Sequence, residues 1–399
     1  MHTAYIVDIL RTPVGKFGGT LSTVRPDDMA ALVMKEIVAR NSNLDPAMIE
    51  DVVMGAANQA GEDNRNVARM ALLLAGLPQE IGGVTVNRLC ASGLQAIMDA
   101  SRAISCGDGE VYLAGGVESM TRAPFVMAKS ETAFGRTAEI YDTTIGWRFT
   151  NPALSKLHYP FGMGETAENV AERYGISRET QDEFAHQSQV KYKAAAEAGK
   201  FSDEIVPVHI PQRKGEDIVF DTDEHPRLSS VEKLASLSPA FKKGGTVTAG
   251  NASGINDGAA VSIIVSEETL KRYNLTPMAR VVATAIAGVD PAHMGIGPIP
   301  ATQKALKRAG LSINDIGLAE INEAFAAQAI PCIQQLGVNP DIVNVNGGSI
   351  AIGHPLGASG TRISATLLHE MKRRDNVKYG LATMCVGVGQ GAAVIYEKV

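Results

Sequence analysis

The sequence has little of what marks secreted, membrane or nucleic-acid-binding proteins. Its four cysteines, Cys90, Cys106, Cys332 and Cys385, form no CxxC pair, so we expect neither a disulfide framework nor a cysteine metal site. The net charge of −6 supplies no basic surface for nucleic acid or anionic lipid. No run is apolar enough to cross a membrane, and the first residues lack the apolar region of a secretory signal. We therefore expect a cytoplasmic protein with free thiols and no metal.

What the sequence does have is length and glycine. The chain has 399 residues, of which 40 are glycine, with 45% hydrophobic and 20% charged residues. A chain of this length can bury a large core and is typical of two or three domains. Abundant glycine indicates many tight turns and places where two backbones approach closely.

Strand and helix patterns alternate along the first part of the chain. Buried strands are predicted over 5–9, 51–54, 84–87, 111–114 and 259–265, and helices over 28–40, 66–75 and 91–106. This alternation predicts an α/β fold with a largely parallel sheet. From about 120 to 244 polar residues and long turns dominate, with a helix that Ser177 caps and Gly199 ends, which indicates an insertion standing on the first α/β unit.

The last part of the chain repeats the order of the first. Strands are predicted over 280–287, 318–321, 342–345, 381–384 and 393–396, with a helix over 301–309 and another kinked at Pro331. Two similar halves indicate an internal duplication with a pseudo-two-fold axis. Sites in α/β sheets lie at the carboxyl ends of strands, where halves meet. We therefore expect Cys90, Asn322, the loop around His354 and Cys385 to lie together.

Cys90 stands where a predicted strand turns into a helix that ends at Gly107. Backbone N–H groups and the positive end of the helix dipole favour a thiolate there, and the thiolate is the nucleophilic form of cysteine. A free cysteine can equally be a small buried hydrophobe. We assign that second interpretation to Cys106 and Cys332, which lie in or at the end of apolar helices.

The other three polar groups each have a functional and a structural interpretation. His354, in the glycine-rich stretch over 346–360, is a candidate base, or it packs against a turn. Asn322 can orient an imidazole or a water, or cap the following helix, and Glu323 would then be a first-turn residue. Cys385 precedes glycines whose N–H groups can turn toward a bound carbonyl, which makes simple core filling a poorer explanation.

These residues lie in motifs that resemble the thiolase family over essentially the full chain. The motifs are RTPVGKFGG (11–19), VNRLCASGLQA (86–96), GGVESM (115–120), TVTAGNASGINDGAA (246–260), NEAFA (322–326), GGSIAIGHPLGASG (347–360) and CVGVGQG (385–391). The resemblance implies an α/β fold with duplicated halves layered αβαβα and an inserted loop domain. The implied domains are 1–120 with 245–272, 121–244 over the active site, and 273–399.

The resemblance also implies a mechanism. Cys90 would take the acyl group of an acyl-CoA or 3-ketoacyl-CoA as a thioester, and His354 would accept its proton. Cys385 would move the proton at the carbon beside the thioester carbonyl. Asn322, through a water, would form one oxyanion hole with His354, and the N–H groups of Cys90 and Gly387 the other. The implied activity is acyl-CoA C-acyltransferase, in the direction of Claisen condensation or of thiolysis.

By the same resemblance, CoA is a substrate and no separate cofactor is expected. Its pantetheine and nucleotide would contact Ser253, Phe241, Met294, Phe325, Met163 and Arg227. The family also implies a homodimer or homotetramer.

Two positions depart from the family pattern. Gly162 stands where short-chain members have a histidine, with His158 nearby, and Val388 replaces a glycine. With the stretch over 142–149, they resemble degradative thiolases, including those acting on 3-oxoadipyl-CoA. One alternative is therefore a thiolase that prefers 3-oxoadipyl-CoA, and another is a non-catalytic acyl-CoA or lipid carrier of the same fold. A third is a ketoacyl synthase, which would have histidines in place of Asn322 and Cys385. The last is a Cys-His-Asn hydrolase, which would not need Cys385.

Overall fold

In a computed structural model, which describes residues 2–399, the chain forms two α/β halves with an insertion in the first. The first half contains β1 (Ala4–Arg11), β2 (Gly15–Lys16), α1 (Pro26–Arg40), β3 (Asp51–Gly55), α2 (Val67–Leu74), β4 (Gly82–Val86), α3 (Ser92–Cys106) and β5 (Val111–Ser119). The insertion contains β6 (Phe125–Met127), β7 (Ile140–Asp142), α4 (Pro152–Leu157), α5 (Met163–Tyr174), α6 (Arg178–Glu197), β8 (Val208–Ile210), β9 (Ile218–Phe220) and α7 (Val231–Ala235).

The chain then returns to the first half and builds the second. The first half is completed by β10 (Asn256–Ser266) and α8 (Glu267–Tyr273). The second contains β11 (Ala279–Gly288), α9 (Pro298–Ala309), β12 (Ile316–Ile321), α10 (Ala326–Leu336), α11 (Ser349–Ile352), α12 (Leu356–Lys372), β13 (Tyr379–Val386) and β14 (Gln390–Lys398). The predicted order of strands and helices is thus confirmed apart from the differences below.

The two halves have matching sheet topology. The strands run in the order β4-β3-β5-β10-β1 in the first half and β12-β13-β14-β11 in the second. They join where Tyr5 pairs with Arg280 and Ile6 with Ala279. Helices α3 and α12 pack against each other between the halves, which confirms the predicted layered α/β fold.

The expected largely parallel sheet is wrong. Among the strands that residues 2–399 form, only the pairs β3–β4, β3–β5 and β12–β13 are parallel. Strands β10 and β14 run antiparallel to both of their main neighbours. Each half therefore has a parallel part at its outer edge and an antiparallel part toward the join. Strand β4 is also not buried as expected: it lies at the edge, and Val84 is 42% exposed.

Glycines bring the first turns of α3 and α12 into close contact. A Cβ atom on Gly93 would lie 2.8 Å from the carbonyl oxygen of Gly357 and 2.7 Å from Oγ1 of Thr361. Such distances are shorter than van der Waals contact, so only glycine permits this approach. Because Cys90 precedes α3 and His354 precedes α12, this packing brings the two candidate groups to one face.

The strand predicted over 342–345 does not form. Only Val343 makes an isolated bridge, to Ala319. Asn344 has a φ of 45°, and its side chain bonds the backbone of Ile321 through both Oδ1 and Nδ2, each at 2.9 Å. The side-chain amide of Asn344 therefore makes the hydrogen bonds that a neighbouring strand backbone would make. The pattern of apolar residues does not reveal this arrangement.

The insertion is fastened to β1 by a buried ion-pair cluster. Arg11, which is 1% exposed, contacts Glu204 at 2.7 Å and Asp223 at 2.6 Å. Burial alone would lower the pKa of Arg11, but the two carboxylates outweigh it and raise that pKa. As expected, the insertion has only short strands, and Ser177 caps α6. No helix within residues 2–399 has the length and apolarity needed to span a membrane.

Candidate active site

Cys90 lies in a strained turn between β4 and α3. The turn Leu89–Ala91 is a 3-10 helix, and Leu89 has a φ of 46°, a conformation that costs a branched residue free energy. Asn87 Oδ1 accepts from the Leu89 N–H at 2.8 Å, and the Ser92 hydroxyl donates to the Leu89 carbonyl at 2.6 Å. The strained turn presents the thiol ahead of α3. Sequence patterns gave no sign of this strain.

The Cys90 thiol is neutral in the free protein, contrary to the expectation that helix-end electrostatics would favour a thiolate. Burial raises its pKa to about 11, and the nearby Glu118 carboxyl adds to the shift. Hydrogen bonds from the backbone N–H groups of Gly387 and of Cys90 itself act in the opposite direction. Desolvation is thus larger than the helix-end effect, and a base must take the proton when substrate arrives.

His354 is held as a neutral acceptor. Its Nδ1 is 2.6 Å from Ser359 Oγ, and that hydroxyl donates to the Pro355 carbonyl at 2.8 Å. Since a hydroxyl has one proton, Nδ1 carries the histidine proton and Nε2 keeps its lone pair. Burial, assisted by the charge of Arg362, lowers the pKa of His354 to about 3. A neutral imidazole with a free lone pair is suited to accept a proton.

Asn322 faces that lone pair. Its Nδ2 lies 3.5 Å from His354 Nε2, and its Oδ1 accepts from Ser349 Oγ at 2.5 Å, which fixes the direction of the amide. The alternative role as helix cap is wrong, because α10 begins at Ala326 and Phe325 occupies the cap position.

Glu323 is likewise outside the first turn of that helix. It is 1% exposed and accepts from Ser188 Oγ at 2.7 Å, Asn344 Nδ2 at 2.8 Å and the Ile350 N–H at 3.2 Å. Burial raises its pKa. These bonds tie α6 to the loop that precedes His354, so Glu323 has a structural place beside the site.

Cys385 lies at the end of β13 and is 1% exposed. Burial, and then the neighbouring Cys90 and Cys332 thiols, raise its pKa well above the usual range. The structure therefore brings Cys385 near Cys90, while Asn322 contacts His354. Cys332 is buried as expected, whereas Cys106 is exposed at the end of α3, so its assignment to the core is wrong.

A cavity of about 350 Å³ opens onto Cys90. Its lining includes Met120, Trp147, Arg148, Leu356 and Val388. Glu118 also lines it and accepts the N–H groups of Ala57 at 2.9 Å, Asn58 at 3.0 Å and Gly357 at 2.7 Å. Burial raises the pKa of Glu118 to about 7. From the sequence we assign no role to Glu118 or Arg148, although Glu118 lies in the motif GGVESM and Arg148 in the stretch over 142–149.

The two departures from the family pattern lie on this cavity. Gly162 is the N-cap of α5 and lines the cavity. His158, the C-cap of α4, is exposed and is not among the lining residues. Val388 also lines it, with a φ of 62°, the left-handed conformation that favours glycine. The histidine missing at 162 is thus not replaced by His158.

The expected CoA residues divide into two groups. Met163, Met294 and Phe325 pack in one apolar cluster with Cys385. Phe241 is 44% exposed, and its ring stands edge-on to Phe325 with centroids 6.1 Å apart. The Ser253 N–H donates to the Ala324 carbonyl at 3.0 Å, which fastens this wall to the start of α10.

Arg227 belongs to a second cavity. This cavity, of about 230 Å³, is lined also by Gln189, Ser229, Lys233 and Gly250. The Arg227 guanidinium donates to the Ala249 carbonyl, and burial lowers its pKa. Arg227 therefore lies on the insertion and not on the cavity of Cys90. In the part of the chain that the structure describes, no group of three or more His, Cys, Asp or Glu could hold a metal ion.

Comparisons with known proteins cover the same regions. The sequence matches the family models "Thiolase, N-terminal domain" over residues 4–268 and "Thiolase, C-terminal domain" over residues 275–398. The 3-oxoadipyl-CoA/3-oxo-5,6-dehydrosuberyl-CoA thiolase of Escherichia coli (strain K12) is 55% identical over 402 aligned residues, with 100% of both chains covered.

Solved structures are similar over the whole chain as well. The Bacillus anthracis acetyl-CoA acetyltransferase has a TM-score of 0.93 and 44% identity, covering 100% of this chain and 99% of the other. Human mitochondrial 3-ketoacyl-CoA thiolase in complex with CoA has a TM-score of 0.92 and 41% identity, covering 100% and 98%. The likeness therefore spans both halves and the insertion.

Proposed function

The chain belongs to the thiolase family of acyl-CoA C-acyltransferases, and we propose that its preferred substrate is 3-oxoadipyl-CoA, cleaved with CoA. The observation that carries this proposal is the full-length similarity, at 55% identity, to a thiolase named for that substrate. The cavity beside Cys90 supports it, because Gly162 lines this cavity and adds no side chain where short-chain members have a histidine. Condensation in the reverse direction uses the same groups.

In the first step of the proposed reaction, Cys90 Sγ attacks the keto carbon of the substrate while its proton passes to His354 Nε2. The bond between the second and third acyl carbons then breaks. The departing acetyl-CoA enolate takes a proton from Cys385, and a succinyl group remains on Cys90 as a thioester. CoA, losing its thiol proton to Cys385, attacks this thioester, and Cys90 takes back the proton held by His354.

Two sets of donors stabilise the negative charge that develops on oxygen. The N–H groups of Cys90 and Gly387, whose hydrogen bonding acts to lower the pKa of the Cys90 thiol, serve the oxyanion of the tetrahedral intermediate on Cys90. Asn322, through a water, together with protonated His354 serves the enolate oxygen. The 3.5 Å separation of Asn322 Nδ2 from His354 Nε2 supports this pairing.

For CoA we propose a path along the insertion. The pantetheine would lie between Ser253, Met294, Phe325 and Met163, with Phe241 at its mouth, and the nucleotide would lie by Arg227. The apolar cluster that joins Met163, Met294 and Phe325 to Cys385 supports the inner part of this path. The CoA complex of a relative of similar fold supports CoA as ligand.

We also propose a cytoplasmic homodimer or homotetramer. Strand β4 is an edge strand with Val84 half exposed, and such an edge favours pairing with another chain. The β6–β7 hairpin exposes Phe125, Met127 and Ile140, a second apolar surface that association would cover.

The test compares CoA-dependent cleavage of 3-oxoadipyl-CoA, acetoacetyl-CoA and 3-oxooctanoyl-CoA. We expect the highest kcat/KM on 3-oxoadipyl-CoA, and loss of turnover in Cys90→Ala and Cys385→Ala. A preference for acetoacetyl-CoA would contradict the substrate assignment. A hydrolase would keep its activity in Cys385→Ala, and a carrier would bind acyl-CoA without cleaving it. The same assay therefore separates these alternatives.

A further inference from the structure

One cation faces the cavity beside Cys90. Among the described residues that line this cavity, Arg148 and Glu118 are, apart from the cysteine, the only ones whose side chains are of an ionisable type. Arg148 is partly buried. The reaction steps described above use neither its charge nor its hydrogen-bond donors. Its position therefore requires a separate explanation.

Within residues 2–399, Arg148 has no partner for its charge. Glu118, the other charged lining residue, accepts three backbone N–H groups from Ala57, Asn58 and Gly357. No ion pair among residues 2–399 includes Arg148; in the same region Arg25 and Arg122 both pair with Glu62. An unpaired guanidinium on a cavity wall keeps its planar set of donors for a ligand, and a carboxylate matches that geometry.

The segment that leads into Arg148 is anchored at two points. Asn58 Nδ2 donates to the carbonyl and hydroxyl oxygens of Thr143 at 3.1 and 3.0 Å, and Thr143 is 2% exposed. Directly before Arg148, Trp147 Nε1 donates to the Phe161 carbonyl at 3.0 Å. A backbone segment anchored this way has less conformational entropy to lose when Arg148 binds a ligand.

We infer that Arg148 recognises the terminal carboxylate of the acyl group, so that the enzyme selects 3-ketoacyl-CoA substrates derived from dicarboxylic acids. This inference rests on the proposed function and adds the residue that reads the substrate's far end. In the covalent intermediate the acyl chain hangs from Cys90 into the same cavity, and its carboxylate meets Arg148. On the proposed CoA path the phosphates lie by Arg227, on the separate second cavity, which leaves Arg148 for the acyl carboxylate.

The experiment compares two substrates of equal chain length, 3-oxoadipyl-CoA and 3-oxohexanoyl-CoA, which differ by a carboxylate in place of a methyl group. In Arg148→Ala and Arg148→Gln, we expect kcat/KM on 3-oxoadipyl-CoA to fall about 30-fold, the loss typical of a charged hydrogen-bonded contact. On 3-oxohexanoyl-CoA the change should stay within about threefold. Arg136→Ala, an exposed arginine of the same insertion, is the matched control and should leave both values unchanged.

The outcomes separate this inference from the proposed function. If the wild type does not favour 3-oxoadipyl-CoA over 3-oxohexanoyl-CoA, the proposed function fails. If the wild type has that preference and Arg148→Ala keeps it, only the role of Arg148 is overturned. An equal fall of kcat/KM on both substrates in Arg148→Ala would give Arg148 a purely structural role and also overturn the inference. A fall of kcat/KM on 3-oxoadipyl-CoA alone, which removes the preference for it, supports the inference.

Discussion

The two junctions that lead into α3 and α12 occupy matching places in the duplicated fold and differ in character. The junction before α3 is strained at Leu89 and presents Cys90 to an open cavity. The junction before α12 encloses His354, which is 5% exposed and bonded through Nδ1 to Ser359. The first presents a reacting atom, and the second fixes a proton acceptor away from water.

This difference shows how a duplicated architecture can divide the work of one reaction. Desolvation raises the pKa of the Cys90 thiol and lowers that of the His354 imidazole, so both groups are neutral before substrate binds. A neutral pair stores no buried charge, and the charge appears only as the reaction proceeds. The substitutions that follow test whether the second half serves proton transfer in this way.

The largest effect should come from removing the acceptor. We expect His354→Asn to lower kcat about 1000-fold, within the range for loss of a general base. His369→Asn is the control, because His369 is also buried in the second half and bonds only the Ile9 carbonyl, at 3.0 Å. That control should lose stability but keep its turnover. More than a tenth of wild-type kcat in His354→Asn would contradict the assignment.

A smaller effect should come from the residue that fixes the tautomer. Ser359→Ala leaves Nδ1–H buried without an acceptor, which costs about 1–3 kcal/mol and lets the ring choose the wrong tautomer. We expect kcat to fall about 10-fold, while KM stays nearly constant. Ser364→Ala, one turn along α12 and bonded to Tyr396 at 2.8 Å, should change stability alone. Equal kcat values in the two variants would contradict the role of Ser359.

Buried histidines should also make stability depend on pH in a defined direction. Burial, then Arg227, lowers the pKa of His225 to about 4, so the unfolded chain binds a proton between pH about 6.5 and 4 that the folded chain does not. Stability from this group is therefore lost as pH falls through that window.

Urea denaturation of His225→Asn measures that loss. Between pH 7 and 5 the variant should lose about 2 kcal/mol less than the wild type. His158→Asn, at an exposed position, should behave like the wild type. A His225→Asn variant with the wild-type pH dependence would show that this imidazole titrates normally in the folded protein.

The smallest effect concerns the strained wall of the cavity. Val388→Gly removes a β-branched side chain from a φ of 62°, and we expect a gain of about 1 kcal/mol in the free energy of unfolding. Val386→Gly, at a fully buried strand position with 0% exposure, should instead destabilise. A loss of stability in Val388→Gly, measured by thermal denaturation, would show that Val388 packing outweighs the strain.

Much of the fold could be predicted from sequence because its strands are continuous apolar runs and its helices end at glycines. Strands such as β10 and β13 have no exposed residue, which gives a strong local signal. The direction of the strands could not be predicted, because the alternation of apolar residues is the same in parallel and antiparallel sheets. The strand predicted over 342–345 is wrong because the side chain of Asn344 makes the hydrogen bonds that a strand backbone would make.

For the site, the sequence predicted the positions better than the electrostatics. Strand ends indicated where Cys90, Asn322, His354 and Cys385 would gather, but local position could not reveal that desolvation exceeds the helix-end effect at Cys90. The tautomer of His354 depends on Ser359 and Pro355 together. Arg148 was missed because only the folded insertion places it on the cavity wall.

The most direct test of the central claim is to ask which cysteine carries the acyl group. The enzyme is incubated with succinyl-CoA, quenched in acid and digested, and its peptides are analysed by mass spectrometry. We expect a succinyl group on Cys90 in the wild type and none in Cys90→Ala. In Cys385→Ala the same group should form on Cys90 more slowly, because Cys385 returns the proton to the departing CoA thiolate in this direction. A succinyl group on Cys385 instead of Cys90 in the wild type would contradict the assignment of the acyl group to Cys90 and of proton transfer to the second half.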